Sequence, residues 1–243
     1  MVTTRSTSRT GLPPGQRALD RFPRFGTHLD RPPPTVPESP VVRVSVPGAE
    51  DLILPVDGLV EPHRRGLTAD FHCVSGWSAT GLAWEGIGFA TFFREVVEPR
   101  LAVDAEVTHA LFTGLDGHQS LLLLEDALAD DVLLADRLDG APLRDDHGAP
   151  LRLVSPQQYG YMSCKHLSAI EILTSKPSGA LGAAHPVSRA GLRGPLVVRH
   201  PRARVWHEER HTFLPARLLR PLYRFVYQRA IRHGLAGEPP RRG

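Results

Sequence analysis

The chain has 243 residues, of which 41% are hydrophobic, enough to build the core of one large domain and to exclude global disorder. Its formal net charge is only +3, and aromatic residues are not interleaved with the basic ones, which argues against a nucleic-acid-binding protein. No run of about 18 apolar residues occurs, which excludes a transmembrane helix. Residues 1–23 also lack the apolar segment of a secretion signal, so we expect a cytoplasmic protein.

The N-terminal part of the chain is predicted to contribute little to the core. Residues 1–21 are polar with scattered arginines and are expected to form a flexible leader. Residues 31–47 are rich in proline, which has no backbone N–H to donate, so we expect an extended surface segment rather than a central strand. Organised structure is expected to begin near Leu52, within a main domain assigned to residues 22–205.

Short strands separated by turn residues dominate the predicted domain. Alternation of apolar and polar residues between turn signals predicts strands at residues 52–56, 68–74, 107–112, 120–124, 132–134, 151–154 and 167–172. One helix is predicted at residues 88–97, where Phe89, Phe92 and Phe93 recur at helical spacing before Pro99. Its aromatic face is expected to lie in the core. Many short strands with one or two helices indicate a β-rich α+β fold with mixed sheets.

The C-terminal part of the chain differs from the rest in charge. Residues 174–200 are predicted to form a long loop, and from Arg199 onwards the chain has eleven arginines and three glutamates. Within residues 218–231 the apolar side chains fall near one helical face and the arginines on the others, which predicts a basic amphipathic helix. We assign this helix to a tail of residues 206–243, packed on its own domain or placed against an anionic membrane.

The two cysteines are far apart and form no C-x-x-C motif, which excludes a disulfide framework and a thiolate zinc site. Cys73 lies at the end of a predicted strand, just before a glycine-bearing turn, a position from which a thiol can face a cavity. A buried structural cysteine is the commoner situation, and this alternative stays open at this point. His72 and the two tryptophans of the same predicted loop, Trp77 and Trp84, favour a functional role.

Residues 73–86 resemble the metal-binding segment of the sulfite oxidase-type molybdopterin oxidoreductases. The resemblance is carried by Cys73-Val74-Ser75-Gly76-Trp77-Ser78, followed by Trp84-Glu85-Gly86. The resemblance implies that Cys73 is the sole protein ligand of molybdenum, because a soft thiolate suits a metal that also carries the two dithiolene sulfurs of the pterin. It extends over roughly residues 22–173 and implies the mixed α+β fold of that family.

A second segment, residues 147–166, resembles the pterin-binding stretch of the same family. The pterin ends in a phosphate, for which Arg152 offers a planar fork of donors and Lys165 a point charge. Lys165 is also one of only two lysines among the 29 basic residues. The resemblance further implies cofactor contacts at His147, Ser163 and Cys164 and, near the N-terminus, at Arg24, Phe25, Thr27 and His28.

Residues 113–118 resemble the turn that brings a side chain over the metal in this family. Thr113 is expected to contact the cofactor, and His118 stands near the position of that side chain. An imidazole titrates near neutral pH and can donate a proton to the reacting oxygen, which makes His118 a candidate catalytic residue. An exposed hairpin histidine after Asp116 and Gly117 is an equally open alternative.

Departures from the family pattern bear on the substrate. The sulfite-oxidising members hold their dianionic substrate with arginines next to the metal, whereas this chain has Thr27 before His28 and Trp77 shortly after Cys73. Sulfite is therefore disfavoured. The Cys-Val-x-x-Trp-Ser pattern resembles more closely the branch that contains the methionine sulfoxide reductase catalytic subunit.

The leading hypothesis is a molybdenum-molybdopterin oxidoreductase that transfers an oxygen atom to or from a small substrate, a sulfoxide or related compound rather than sulfite. No haem domain is predicted, so electrons are expected to pass to a separate electron-transfer partner, free or membrane-bound. The alternative is a cofactor-free binding module of the same fold that docks a partner or a membrane through its basic C-terminal helix. The joint presence of Cys73, Arg152 and Lys165 speaks against this alternative.

Overall fold

Two β-sheets form most of the protein. A computed structural model of the chain describes residues 3–5, 11–24, 32–177, 200–211, 215–216 and 218–221. The strands, in chain order, are β1 (Thr3–Arg5), β2 (Arg17–Leu19), β3 (Val41–Ser45), β4 (Leu52–Pro55), β5 (Arg65–His72), β6 (Trp77–Gly88), β7 (His109–Gly114), β8 (Gln119–Leu123), β9 (Leu133–Leu138), β10 (Ala141–Pro142), β11 (Arg152–Val154) and β12 (Leu167–Leu173).

The first sheet has seven strands and carries the segments that resemble a metal-binding site. Its main path runs β1-β5-β6-β9-β10, with β11 paired to β9 and β2 paired to β6. The long hairpin of β5 and β6 is antiparallel, whereas β1 and β2 join it as parallel neighbours. The second sheet has five strands in the order β4-β3-β12-β7-β8, with a parallel pair at β3 and β12. The β-rich α+β class with mixed sheets is confirmed.

Helices are few and short in the described residues. They are α1 (Val56–Val60), α2 (Phe89–Phe92) and α3 (Leu124–Ala127), with 3₁₀ turns at Glu61–His63, Glu98–Arg100 and Asp145–His147 and a π turn at Phe93–Val97. The helix predicted at residues 88–97 is thus present as α2 and the π turn that continues it. The rings of Phe89, Phe92 and Phe93 are buried, and Phe89 packs 5.2 Å from the ring of Phe112. This aromatic face is core, as predicted.

The buried apolar residues form two clusters. The larger one lies around α2 and includes Val44, Phe112 and Ile170 from the second sheet. The smaller one lies against the β5–β6 hairpin and includes Cys73 and Trp84. The candidate site is therefore built on the smaller cluster.

Three predictions about local structure are wrong. Residues 77–88 form the twelve-residue strand β6 rather than a loop, since Trp77, Trp84 and Ile87 each bury their side chains. The proline-rich segment contains β3, which lies between β4 and β12; its prolines flank the strand, and Val42 and Val44 are fully buried. Part of the predicted leader is the strand β2, which pairs with β6 and places organised structure well before Leu52.

Two predicted segments lie largely outside the described residues. These are the loop at residues 174–200, of which 178–199 are not described, and the amphipathic helix at 218–231, of which 222–231 are not described. Residues 216 and 218–221 are helical, with Leu219 buried and Leu218 exposed. Among the described helices, none has the length and apolar character needed to cross a membrane.

Candidate functional site

Cys73 begins a tight turn of four residues between β5 and β6, here called the Cys73 turn (residues 73–76). Its N–H donates to the carbonyl of Trp77 at 2.8 Å, and the N–H of Gly76 donates to the carbonyl of Cys73 at 3.0 Å. Gly76 has a φ of +102°, a conformation that strongly favours glycine. The sequence Ser-Gly therefore closes the hairpin directly behind the cysteine.

The thiol of Cys73 is buried in the smaller core cluster, with 6% of the residue exposed. Little of the residue is therefore in contact with solvent. Its sulfur lies 3.1 Å from the hydroxyl of Ser75. Within the described part of the chain, no group of three or more His, Cys, Asp or Glu side chains is placed to hold a metal ion. A metal bound at Cys73 must therefore take its remaining ligands from a cofactor or from water.

A buried polar network supports the Cys73 turn from below. Gln16 Nε2 donates to the carbonyl of Cys73 at 3.1 Å, and Gln16 Oε1 accepts from the hydroxyl of Ser78 at 3.1 Å. The same hydroxyl lies 2.7 Å from His72 Nδ1. Because Ser78 gives its proton to Gln16, His72 must donate from Nδ1. Burial lowers the pKa of His72 to about 4, so this imidazole is neutral at physiological pH.

Four aromatic residues, called here the aromatic cluster (Phe22, Phe71, Trp77 and Trp84), surround the inner side of the hairpin. Ring centroids are 4.8 Å apart for Phe22 and Phe71 and 5.8 Å apart for Phe71 and Trp77. Phe22 also stacks on His147, with centroids 4.6 Å apart and planes inclined by 11°. The cluster therefore joins the Cys73 hairpin to the segment that resembles a pterin-binding stretch.

Arg152 lies against this aromatic cluster and is 1% exposed. Its guanidinium carbon is 5.0 Å from the ring of Trp84 and 5.5 Å from that of Phe71, distances at which a cation is attracted by an aromatic face. Its nitrogens donate to the carbonyl of His147 at 2.8 Å and, at 3.4 Å, to that of Ser163. Burial lowers the pKa of Arg152 to about 10, which leaves the side chain charged at neutral pH.

Three cations, called here the cationic group (Arg24, Arg152 and Lys165), converge on residues 146 and 147. Arg24 Nε lies 3.2 Å from a carboxylate oxygen of Asp146, and Lys165 Nζ donates to the carbonyl of Asp146 at 3.2 Å. Burial, followed by the charges of Arg152 and Arg24, lowers the pKa of Lys165 to about 8. Asp116 and Asp146 are the carboxylates that act on Lys165. Within the described residues, neither Arg152 nor Lys165 forms an ion pair, so three cations face two carboxylates.

The other predicted contacts in the described residues flank this cationic group. Ser163 accepts from the N–H of Ser155 at 3.1 Å and joins β11 to the following segment. Cys164 is buried, and burial raises the pKa of its thiol, which is therefore protonated at neutral pH. Thr113 lies on β7 and accepts from Gln119 Nε2 at 3.4 Å. These residues support the loops around Lys165.

The structure assigns His118 to a different contact from the one expected of a proton donor. Its Nε2 lies 2.9 Å from the carbonyl of Tyr161 and 3.2 Å from the hydroxyl of Ser120. A carbonyl accepts only, so Nε2 carries a proton and donates it to Tyr161. This contact ties the β7–β8 hairpin to residues 160–163, which themselves bond to the hairpin of Cys73 through Gly160 N and His72 O at 2.7 Å.

The predicted site residues fall into two sets. Nine of them lie in the described residues: Arg24, His147, Arg152 and Lys165 lie close together around Asp146 and His147, Cys73 belongs to the adjoining aromatic core, and Thr113, His118, Ser163 and Cys164 lie in the neighbouring loops and strands. Phe25, Thr27 and His28 lie outside the described residues. A cavity of about 390 Å³ lined by residues such as Asp126, Gln157 and Trp206 contains none of the predicted site residues and is not the candidate site.

Three residues that belong to the aromatic cluster or contact the Cys73 turn were not predicted from the sequence. Gln16 and Phe22 belong to or border the predicted leader, and no local pattern marks them. Arg210 donates from its guanidinium to the carbonyl of Val74, which is 136 positions earlier in the chain. The sequence therefore did contain an arginine for the neighbourhood of Cys73, but its separation along the chain concealed it.

The residues present fit an anionic, ring-containing cofactor. The cationic group calls for negative charge, since a buried cation without a counter-ion is costly. The indole Nε1–H of Trp84 is buried without an acceptor in the described residues, so a donor is available beside Arg152. Gly148 has a φ of +105°, and a Cβ at this position would lie 3.0 Å from the Cβ of Lys165. Glycine therefore leaves room for the lysine side chain. A phosphate, a flat heterocycle and a thiolate-bound metal match this donor set.

Comparison with known proteins points to one family. The model of the oxidoreductase molybdopterin binding domain matches residues 30–181. The "uncharacterized oxidoreductase YuiH" of Bacillus subtilis (strain 168) is 28% identical over 179 residues, which cover 72% of this chain and 86% of that protein.

Other relatives are longer than this chain. The protein-methionine-sulfoxide reductase catalytic subunit MsrP of Xanthomonas campestris pv. campestris is 30% identical over 136 residues, which cover 48% of this chain and 40% of the relative. Among solved structures, the sulfane dehydrogenase SoxCD of Paracoccus pantotrophus matches with a TM-score of 0.48 and 20% identity, covering 56% of this chain and 38% of that one.

Proposed function

Since the chain belongs to the oxidoreductase molybdopterin binding domain family and is an oxidoreductase, we propose that Cys73 binds molybdenum and that the enzyme transfers an oxygen atom between water and a small sulfoxide-type substrate. When bound, the molybdenum-pterin group supplies the two-electron change of this reaction. The chain supplies one thiolate, a positive environment for the phosphate of the pterin, and a dry apolar surround.

The observation that carries the proposal is the link between Cys73 and Arg152 through the aromatic cluster. Cys73 and Trp84 belong to one core cluster, and Trp84 lies under the guanidinium of Arg152. Arg152 in turn donates to His147, beside Asp146, where Arg24 and Lys165 also bind. The Cys73 thiol, a soft metal ligand, and the cationic group thus lie at opposite ends of one packed set of side chains. A molybdenum ion bound to a pterin that ends in a phosphate needs both.

Each residue of this unit has a separate task in the proposal. Lys165 and Arg24 hold the terminal phosphate together with Arg152, because three cations face the two carboxylates of Asp116 and Asp146. Arg152 holds the loop carbonyls of His147 and Ser163 in place and adds charge. Trp84 donates its unpaired indole N–H to an acceptor on the cofactor. The aromatic cluster excludes water from the side of Cys73 that faces the core.

Two observations favour a sulfoxide as the substrate: the name of a relative and the buried position of Arg210 beside the Cys73 turn. A relative named protein-methionine-sulfoxide reductase catalytic subunit is 30% identical to this chain over 136 residues. Reduction of a sulfoxide consumes two electrons and two protons and releases a sulfide and water, so a separate electron-transfer partner must deliver the electrons. Arg210, which donates to the carbonyl of Val74 in the Cys73 turn, is 1% exposed, and both features disfavour it as a receptor for free sulfite.

Metal analysis of purified protein tests the proposal. We expect molybdenum in the wild-type protein from a molybdenum-competent host and its loss in Cys73→Ser. The matched control is Ala127→Ser, which places the same hydroxyl in the larger core cluster and is expected to retain molybdenum. Full molybdenum content in Cys73→Ser would remove the assigned role. Reduction of methionine sulfoxide by the loaded enzyme with an artificial electron donor tests the substrate.

The alternative of a cofactor-free docking module has less support. It leaves the excess charge of the cationic group without a counter-ion. A cytoplasmic location remains part of the proposal and is tested by fractionating cells that express the full chain.

A further inference from the structure

We propose that Gln16 and Arg210, which lie on either side of the family-matched residues 30–181, are positioning residues that hold the Cys73 turn in place for the metal. This inference rests on the proposed role of Cys73 as the metal ligand. It extends the site to two segments that the family model does not contain.

Gln16 acts on the first peptide of the turn. It is buried, and its Nε2 donates to the carbonyl of Cys73, the residue that carries the thiol. Its position is set in turn by Ser78 on β6 and by the strand β2, whose first residue, Arg17, donates its N–H to the carbonyl of Gly76 at 3.1 Å. Both ends of the Cys73 turn are therefore bonded to the N-terminal segment.

Arg210 acts on the second peptide of the turn from the opposite end of the chain. Its guanidinium donates to the carbonyl of Val74, and its guanidinium carbon lies 4.9 Å from the ring of Tyr159. The side chain is 1% exposed. A charge-assisted bond from a buried guanidinium is stronger than a neutral one and restricts the carbonyl direction. It also places a fixed positive charge one residue away from the thiol.

The N-terminal and C-terminal segments touch each other at the turn. A Cβ on Gly76 would lie 3.0 Å from the carbonyl oxygen of Gly15, and a Cβ on Gly15 would lie 3.1 Å from both Arg210 and Glu208. Glu208 also binds Arg220 at 2.5 Å. Gly15 and Gly76, both at positive φ, thus allow the segments around residues 15, 76 and 208–210 to lie within a few ångströms of one another.

The bonds from Gln16 and Arg210 make Cys73 a rigid metal ligand, and this rigidity serves the reaction. Backbone carbonyls on two successive peptides are each bonded to a buried side chain, which limits how far the thiol can move. A ligand held in one orientation keeps the metal geometry constant between oxidation states, as supporting residues do at other metal sites.

Alkylation of the thiols in cofactor-free protein is the first test, because it needs no metal. We expect Gln16→Ala and Arg210→Met each to raise the alkylation rate of Cys73 roughly tenfold, because one bond to the turn is lost. Cys164, which is buried elsewhere, is the internal reference and should change by less than about twofold. Mass spectrometry of the peptides distinguishes the two thiols.

Matched controls separate a local effect from a general loosening. Arg202→Met removes an ion pair of the same C-terminal segment to Asp126, and Gln157→Ala removes a glutamine bond to Asp131. Neither touches the turn, so both should leave the Cys73 rate unchanged. Equal rates in all four variants and the wild type would overturn the inference. A rise for Cys164 as large as that for Cys73 would also overturn it.

The loaded enzyme provides the second test. Gln16→Met, which keeps the length of the side chain and removes the donor without burying a charge, and Arg210→Lys, which keeps the charge, guard against variants that fail to fold. We expect an altered Mo(V) electron paramagnetic resonance spectrum in Arg210→Met and Gln16→Met and a partial return to the wild-type spectrum in Arg210→Lys. Unchanged spectra in loaded variants would overturn the inference. Wild-type protein without molybdenum would instead overturn the proposed function, and the alkylation test would still stand on its own.

Discussion

The guanidinium carbon of Arg152 lies 5.0 Å from the centre of the Trp84 ring, inside the part of the protein that also buries Cys73. A cation is tolerated there because the aromatic faces and two backbone carbonyls replace part of its water. The contact depends on the flat shape of the guanidinium as well as on its charge.

Arg152→Lys is therefore expected to destabilise the fold although the charge is kept. An ammonium group cannot serve both carbonyls and stack on Trp84, so we expect a loss of about 2 kcal/mol in the free energy of unfolding. Chemical denaturation measures the change. The control Arg43→Lys alters a half-exposed arginine and should shift the value by less than about 0.5 kcal/mol. Equal effects of the two substitutions would show that the Arg152 contact adds no stability.

Lys165→Met is expected to stabilise the cofactor-free protein while weakening cofactor retention. The pKa of Lys165 is lowered to about 8 from 10.5, so the folded protein binds this proton less strongly than the unfolded chain does. The charged lysine thus opposes folding at pH 7, by on the order of 3 kcal/mol, and methionine removes this penalty.

The pH dependence of this difference provides the check. Below pH 8 the lysine is charged in both states and the penalty is complete; from pH 8 to 10.5 it disappears as the folded-state lysine loses its proton. Thermal melts of both proteins over this range should show an advantage of Lys165→Met that is constant below pH 8 and shrinks above it. An advantage that grows with pH would contradict the assignment.

Gly160→Ala is expected to disturb the aromatic cluster. A Cβ at position 160 would lie 2.0 Å from the ring of Phe71, which packs between Phe22 and Trp77. The ring must move, and we expect a loss of about 2 kcal/mol or more in unfolding free energy. The control Gly58→Ala adds a Cβ in open space within α1 and should be neutral or slightly stabilising. Similar melting temperatures for the two variants would contradict the packing argument.

His118 is expected to anchor a loop, whatever its part in proton transfer. Its Nε2 donates to the carbonyl of Tyr161, so His118→Ala should cost about 1 kcal/mol of unfolding free energy. His118→Gln keeps an N–H donor and should recover part of that loss. If the hydrogen bond to Tyr161 added no stability, His118→Gln and His118→Ala would have the same free energy of unfolding. A proton-donor role, the sequence hypothesis, would appear separately as the loss of one limb in the pH dependence of kcat for His118→Gln.

The sequence by itself was enough to identify the elements that depend on local periodicity. The helix at Phe89–Phe92 and its π continuation, the strands β4, β7, β8 and β12, and the turn behind Cys73 each have a repeating apolar pattern or a glycine that produces the structure without distant partners. The same holds for Cys73, Arg152 and Lys165 as candidates, since they lie in segments whose residue order resembles a known family.

The tertiary structure alone decided which distant residues complete the site. Strand β6 was not predicted, because the glycines around Trp77 and Trp84 are typical of a loop. Residues 77–88 form a strand because they pair with β5 and β9. Gln16 and Arg210 carry no local signal, because a single hydrogen bond across 57 or 136 positions leaves no periodicity in the chain. Local patterns record which face of an element is buried, whereas contacts between elements depend on how the whole chain is packed.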